Sequence, residues 1–155
     1  MATQPESLCF TDAPPLAVDV ARGVTRLFCR QDLFGICEMP LPNGRRADIM
    51  AIDARGGLTI VEIKVSKADL VGDGKWQDYL DYCDRLYFAV RADFPCEVVP
   101  EEAGLILADR YGAELVREGV EERLSAARRK AIMLCFARAA ALRLQLHLDP
   151  GCSFL

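Results

Sequence analysis

Residues 45–65 have the sequence RRADIMAIDARGGLTIVEIKV, and this stretch decides the fold. Two apolar, β-branched runs, 45–52 and 58–65, lie on either side of a short polar segment that contains two glycines. Runs of this composition around a glycine-containing turn predict two antiparallel strands joined as a hairpin. Each predicted strand carries one acidic residue, Asp48 in the first and Glu62 in the second.

The length of the hairpin loop decides whether these two carboxylates face each other. Directly opposed residues of an antiparallel pair share a face, and successive residues alternate faces. A three-residue loop closed by Asp53 and Gly57 sets one register. In that register Asp48 lies opposite Glu62, and Lys64 shares their face. A two-residue turn at Gly56 and Gly57 would shift the register by three residues, and because this number is odd Asp48 would turn away from Glu62. A shared site therefore requires the longer loop.

Two facing carboxylates beside an amine suit a divalent cation. Mg²⁺ (or Mn²⁺) prefers oxygen ligands, so Asp48 and Glu62 are the predicted ligands, with the main-chain carbonyl of Ile63 as a third. Lys64 would offset charge on an attacked phosphate. Two alternatives to a metal site stay open. The charges can lie on a solvated strand face, or the three ionisable side chains can form a buried salt-bridge network. Apolar neighbours on both faces favour a buried strand, where charges need a partner.

Length and composition indicate one domain. The chain has 155 residues, 52% of them hydrophobic, which is enough for a core of its own. Residues 1–15 contain three prolines and predict a flexible leader, followed by a single domain over 16–155. The first residues lack the basic and apolar segments of a signal peptide, and we expect no apolar run long enough to span a bilayer. A cytoplasmic protein without a membrane partner is expected.

Cysteine and histidine usage excludes several kinds of site. The seven cysteines are odd in number and form no C-x-x-C pair, so neither a disulfide framework nor a zinc knuckle is indicated. His147 is the only histidine, which excludes a site with several histidine ligands within one chain. The formal net charge of -4 argues against general nucleic-acid binding, but a local basic groove is compatible with it.

The rest of the chain predicts alternating helices and strands. Apolar residues at helical spacing predict a first helix over 18–28, and an Ala- and Leu-rich segment predicts a last helix over 126–146. A polar, helix-like segment over 68–84 is interrupted by glycines. Further strands are predicted over 34–41, 86–90, 104–108 and 113–116, with a tight turn at 42–44.

Three segments together form a specific sequence pattern. They are residues 44–48, residues 61–64 and residues 75–90, which have the sequence KWQDYLDYCDRLYFAV. Residues 104–109 and 127–131 extend the match over nearly all of the chain after the leader. This ordered set resembles the MmcB-like family of bacterial DNA repair proteins, within the PD-(D/E)XK nuclease superfamily. The resemblance implies an α/β fold with a restriction-endonuclease-like (PD-(D/E)XK) core, in which a mixed, mostly antiparallel central sheet is flanked by helices.

The resemblance also implies roles for individual residues. The metal-binding acids of the superfamily correspond to Asp48 and Glu62, and its catalytic lysine corresponds to Lys64. Gln77 falls where many relatives carry a helix glutamine that reaches the active centre. The implied cofactor is Mg²⁺ or Mn²⁺.

The chain departs from the pattern of the superfamily at two points. Ala47 stands where the motif has proline, and this leaves the neighbouring acid in place. The first helix has no obvious match to an extra acidic ligand of relatives, so Asp19 near its start and Glu38 on the following strand are second-tier candidates. For Glu38, an ion pair with Arg45 or Arg46 is the alternative to a second metal.

A basic and aromatic set is predicted to contact nucleic acid. For the two tyrosines in it, which lie three residues apart, packing against the sheet is about equally compatible with the sequence. The cations of the last helix scatter around its axis, so only those at its start are retained as candidates. The set comprises Arg45, Arg46, Lys67, Lys75, Tyr79, Tyr82, Arg128, Arg129 and Lys130.

The leading functional hypothesis is a DNA repair protein that acts as a Mg²⁺-dependent deoxyribonuclease, a phosphodiester hydrolase for damaged, cross-linked or structured DNA. The alternative is a DNA- or partner-binding repair module with a nuclease-like fold and little or no turnover. The expected partners are DNA and other repair proteins. The sequence leaves open the oligomeric state, the choice between DNA and RNA, the cleavage polarity and the number of metals.

Overall fold

The apolar runs of the sequence form the strands of one sheet, because their side chains pack on both of its faces. The computed structural model describes residues 16–152, so the predicted leader over 1–15 lies outside the described residues. The strands are β1 (Phe34–Pro40), β2 (Arg46–Ile52), β3 (Leu58–Lys64), β4 (Arg85–Val90), β5 (Gly104–Ala108) and β6 (Ala113–Arg117). The helices are α1 (Ala17–Arg30), α2 (Lys67–Gly72) and α3 (Ala126–Leu148), with short 3₁₀ helices at Trp76–Tyr82 and Cys96–Val98.

The strands lie side by side in their chain order, from β1 to β6. The pairs β1–β2, β2–β3 and β5–β6 are antiparallel, whereas β3–β4 and β4–β5 are parallel. Parallel neighbours require a crossover, and the segments after β3 and after β4 provide it. The prediction of a mixed, mostly antiparallel sheet flanked by helices is confirmed.

The hairpin of β2 and β3 has the longer of the two predicted loops. Ile52 pairs with Leu58, and the N–H of Asp53 donates to the carbonyl oxygen of Gly57 at 3.0 Å. The two-residue turn is therefore wrong, and the register that faces Asp48 towards β3 is confirmed.

Strand β3 is buried along its whole length, since it lies between β2 and β4 and is covered by helices. Glu62 has 3% and Lys64 7% of its surface exposed. The alternative that placed these charges on a solvated strand face is therefore wrong. Both charges need partners inside the protein.

Helix α1 covers one face of the sheet with a stripe of apolar side chains at helical spacing. Val20, Val24 and Phe28 are buried there against Ile49 and Val61. The opposite face is covered by the first 3₁₀ helix and by α3. The six cysteines within residues 16–152 are free in the structure, and one of these six is fully buried.

Gly23 of α1 allows the helix to approach the turn between β5 and β6. A Cβ at this position would overlap the carbonyl oxygens of Asp109 and Gly112, which belong to the backbone and cannot rotate away. We expect Gly23→Ala to lower the free energy of unfolding by about 1–3 kcal/mol, as measured by urea denaturation. Gly72→Ala is the control, because a Cβ there meets nothing within 4 Å. Equal losses in both variants would contradict this packing argument.

Helix α3 is attached to the sheet along one side only. Ile132 is buried, and Arg129 donates to the carboxylate of Asp84. Further along, the guanidinium of Arg143 donates to the carbonyl oxygens of Cys37 and Glu38 in β1. The last third of the helix is exposed.

The same helix corrects the expectation that no segment can span a bilayer. By length and apolar composition alone, α3 is sufficient to cross a membrane. One such helix is weak support for a span, because the core helix of a soluble protein and a signal sequence pass the same criterion. Arg138 and Arg143 lie within it, where a bilayer makes charge costly, and Arg143 contacts β1. We therefore interpret α3 as a helix on the surface of the domain.

Candidate metal centre

The backbone ladder of the central hairpin ends just before its two acidic residues. The last paired residues are Ile49 and Val61. Beyond them the N–H of Asp48 donates to Oε1 of Glu62 at 3.2 Å, and the N–H of Ile63 donates to Oδ2 of Asp48 at 2.7 Å. Each carboxylate thus accepts a backbone N–H from the other strand. These two bonds replace ladder bonds and hold the acids side by side.

Glu62 is buried and Asp48 is half-buried. Burial, and then the charge of Asp48, raise the pKa of Glu62 to about 8. Burial also raises the pKa of Asp48, against the effect of the N–H of Ile63, and the charge of Glu38 adds to the rise. Two desolvated acids in contact favour either a retained proton or a bound cation.

The raised pKa of Glu62 predicts a pH-dependent stability in the absence of divalent cations. The ordinary value is 4.5, so between that pH and about 8 the folded protein holds a proton that the unfolded chain releases. The stabilisation is fully present below the ordinary pKa and is lost as the pH rises through the folded pKa. With EDTA present, we expect the difference in Tm between the wild type and Glu62→Gln to change against the wild type as the pH rises from 4.5 to about 8. A constant difference between the two proteins would contradict the prediction.

Lys64 lies beside the acidic pair but binds another carboxylate. Its Nζ atom is 2.9 Å from Oδ2 of Asp73. The positive charge of Lys64 also acts on Asp48 and Glu62, where it lowers the pKa of both. In a buried salt-bridge network of these three side chains, Lys64 would lie between Asp48 and Glu62. The structure pairs Lys64 with Asp73 instead.

Asp69 and Asp73 are acids of this centre that the motif analysis missed. Asp69 lies in α2 and its charge raises the pKa of Asp48, while Asp73 follows α2 and raises the pKa of Glu62. The signal in the sequence was an acid flanked by two glycines in the interrupted polar segment after β3. Spacing alone does not show that this turn folds back onto β3.

Two arginines at the start of β2 are engaged with acids. Nε of Arg45 is 3.2 Å from Asp78, and its guanidinium lies 5.4 Å from the centre of the Tyr79 ring. Nε of Arg46 is 2.5 Å from Oε2 of Glu38. The second-tier residue Glu38 therefore forms the ion pair that was the alternative to a second metal. Its φ of 55° places it in the left-handed region within β1.

Asp19 and Gln77 have surroundings that differ from those of the acidic pair. Asp19 accepts the N–H of Leu16 at 2.9 Å and lies 3.6 Å from Arg110, so it stabilises the start of α1. Gln77 is exposed on the first 3₁₀ helix, which turns Tyr79 towards the sheet instead. The role implied for Gln77 stays a prediction.

The side chains predicted to contact nucleic acid differ in exposure. Lys67, Lys75 and Lys130 are exposed to solvent. Tyr79 is buried and Tyr82 is half-buried in the core cluster beneath α3, which is the packing alternative for the two tyrosines. Burial, and then the nearby charge of Glu62, raise the pKa of Tyr79 to about 12.

The two arginines at the start of α3 bind carboxylates of the same chain. Arg128 lies 3.5 Å from Asp81 on the surface. Arg129 donates two N–H groups to Asp84 at 2.6 Å each, which takes the donors that a phosphate would need. Arg129 thus anchors α3, in contrast to its predicted contact with nucleic acid. Three of the predicted cations, Arg45, Arg46 and Arg128, thus each lie beside a carboxylate of the same chain.

The oxygen donors of the centre suit Mg²⁺ or Mn²⁺. The N–H and C=O of one strand residue point to the same side, so the carbonyl of Ile63 faces β2, as its N–H does. That carbonyl can join the carboxylates of Asp48 and Glu62. Within residues 16–152 no cluster of three or more His, Cys, Asp or Glu side chains forms a metal site. The carbonyl and several waters would complete the shell, as Mg²⁺ permits.

Fold and centre together define an α/β domain in which a buried carboxylate, Glu62, faces a half-buried one, Asp48, at the end of a central hairpin. The family model described as DNA repair protein MmcB-like matches residues 5–151. The chain belongs to this MmcB-like family. A solved structure of a protein of unknown function from Silicibacter pomeroyi is 41% identical, with a TM-score of 0.86, and the match covers 93% of this chain and 98% of that one. Among curated proteins no match was found.

Proposed function

We propose that the protein is a metal-dependent nuclease that hydrolyses phosphodiester bonds in damaged, cross-linked or structured DNA, with a PD-(D/E)XK-type core. Membership of a DNA repair family supports DNA as the substrate. The proposal is carried by one observation. Glu62 is buried and Asp48 is half-buried, each accepts a backbone N–H of the other strand, and Lys64 lies beside them.

The side chains of this centre have distinct roles in the proposal. Asp48, Glu62 and the carbonyl of Ile63 would hold Mg²⁺ or Mn²⁺, which supplies Lewis-acid stabilisation of the phosphate and a more acidic water. Hydrolysis forms a bond from a water oxygen to phosphorus and breaks the bond to the leaving oxygen. The ammonium of Lys64 offsets the negative charge that develops in this step. Asp73 orients that ammonium through their 2.9 Å ion pair.

The second candidate function is a DNA- or partner-binding repair module with little or no turnover. It is favoured by the pairing of the cations around the centre. Arg45, Arg46 and Lys64 each bind a carboxylate, and the formal net charge is -4, so few cations remain to grip a phosphate backbone. Metal binding does not separate the two candidates, whereas turnover does.

Cleavage of a labelled DNA panel tests the nuclease. The panel contains single-stranded, duplex, flapped, branched and cross-linked DNA, each incubated with Mg²⁺, with Mn²⁺ or with EDTA. Metal-dependent cleavage of at least one structure is expected. Binding of Mn²⁺ is measured in parallel by calorimetry, because it reports on the centre independently of turnover.

Glu114→Gln is the matched control for substitutions at the centre, since Glu114 is an exposed carboxylate on β6, at the opposite edge of the sheet. It should leave cleavage and Mn²⁺ binding unchanged. Metal binding and tight DNA binding without any cleavage would favour the binding module. Absence of metal binding, DNA binding and cleavage would exclude the nuclease and a DNA-binding module, and would leave only a module that binds a partner protein.

A further inference from the structure

The outward side of α3 carries an apolar stripe that the domain does not cover. Its members are all exposed, with 61% of Leu134, 59% of Leu144 and 75% of Leu148 accessible to solvent. They follow one another at intervals of three and four residues, which is the spacing of the a and d positions in a heptad repeat. The stripe consists of Leu134, Ala137, Ala141, Leu144 and Leu148.

The stripe is separate from the side of α3 that docks on the sheet. Docking uses Arg129, Ile132, Phe136, Ala139 and Arg143. At 100° per residue the centres of the two sides lie roughly 140° apart around the helix axis. The helix thus has one side that holds it to its own domain and another that remains available to a partner.

Charges at the two ends of the stripe indicate what that partner is. Lys130 occupies the next stripe position towards the start of the helix, and Asp149 follows its last leucine. Both are exposed, and α3 itself contains no acidic residue. A parallel pair of such helices would bring like charges together at each end. An antiparallel pair brings each Lys130 level with the partner's Leu148, beside the partner's Asp149, and also aligns the helix dipoles favourably.

The apolar residues are self-complementary in the same antiparallel register. When Lys130 is level with the partner's Leu148, Leu134 meets the partner's Leu144, and Ala137 meets the partner's Ala141. Small residues at the middle allow the helix axes to approach closely, and leucines close both ends. Since each contact occurs twice about one two-fold axis, the arrangement is an isologous, closed dimer.

We propose that the stripe binds a second copy of this chain, so that two α3 helices pair antiparallel in a two-fold dimer. In this register the helices overlap from Lys130 to Leu148, which supplies about 27 Å of contact. A bilayer would satisfy neither Asp149 nor the arginines within the helix, whereas a second copy offers a partner to the charge at each end. The dimer does not depend on the nuclease proposal, because none of the stripe residues belongs to the candidate centre.

Sedimentation velocity over a range of protein concentrations tests the dimer. The wild type is expected to dimerise, and Leu144→Glu is expected to weaken dimerisation about 30-fold or more, the size of an interface hot-spot loss. Val120→Glu places the same charge on an apolar residue that is 57% exposed in a loop, and it should dimerise like the wild type. Circular dichroism of each variant verifies that the helices remain folded.

A charge exchange tests the antiparallel register. Lys130→Glu and Asp149→Lys should each weaken the dimer, and the double variant should restore it, because the two opposite charges then meet again in exchanged positions. A wild type that stays monomeric at all concentrations would overturn the proposal. Binding of that monomer to vesicles of anionic lipid would show instead that the stripe contacts a membrane. Single charge variants that dimerise like the wild type would overturn the register on which it rests.

Discussion

Glu62→Gln is expected to reduce metal-dependent DNA cleavage by about 10³-fold. The amide keeps the shape of the side chain and an oxygen that can accept the N–H of Asp48, so the hairpin should stay folded. It removes the negative charge that would hold the cation in a site where solvent cannot compensate. Single-turnover cleavage rates measure the reduction in DNA cleavage, and calorimetric titration with Mn²⁺ measures the expected loss of metal affinity.

Lys64→Met provides the complementary variant, because it removes the ammonium without removing a metal ligand. We expect it to lower the cleavage rate while Mn²⁺ still binds. Wild-type cleavage by Glu62→Gln would show that the catalytic centre lies elsewhere or that the activity comes from a contaminant. Loss of folding is excluded separately by comparing the circular dichroism spectra of the variants.

Asp84→Ala is expected to lower the free energy of unfolding by about 3–5 kcal/mol, as when one member of a buried ion pair is removed. Asp84 is 6% exposed. It accepts the N–H groups of Leu58 at 2.7 Å and Leu124 at 2.9 Å, as well as two N–H groups of Arg129 at 2.6 Å. One carboxylate thus joins β3, the segment before α3 and α3 itself. Urea denaturation measures the loss.

Asp81→Ala is the control for this prediction. Asp81 is an exposed acid 3.5 Å from Arg128, and an exposed pair contributes about 0–1 kcal/mol. Burial opposes ionisation of Asp84, but the bonds from Arg129 and the backbone outweigh it and lower its pKa to about 2. Its contribution is therefore present above the ordinary pKa of 3.8 and is lost as the pH falls towards 2. A similar loss in both variants at neutral pH would contradict the anchoring role.

The centre and its anchors show how the fold maintains a costly arrangement. Burying Glu62 and Asp48 together disfavours their ionised forms, which raises the pKa of both. The surrounding sheet compensates with backbone N–H donors and with the ion pair of Lys64 and Asp73. A divalent cation would relieve the remaining repulsion, which is why the arrangement supports the proposed function.

The sequence by itself determined the hairpin and its two acidic residues. Side chains alternate along a strand, so short-range rules limit the hairpin to two registers. The folded chain decides between them, because its three-residue loop brings Asp48 to face Glu62. The six strands and the long helix followed from apolar periodicity in the same way. Predictions of this kind hold because the interacting residues are close in the chain or are fixed by strand pairing.

Only the tertiary structure decided which partners the long charged side chains select. Lys64 reaches Asp73 and Arg129 reaches Asp84 because crossovers and packed helices bring distant segments together, and no local pattern encodes those distances. The same reason explains α3. Its cations scatter around the helix axis in the sequence, and only docking on the sheet shows that Arg143 faces β1 while Leu144 faces solvent. Periodicity defines the sides of a helix, whereas packing against the rest of the chain decides which side is buried.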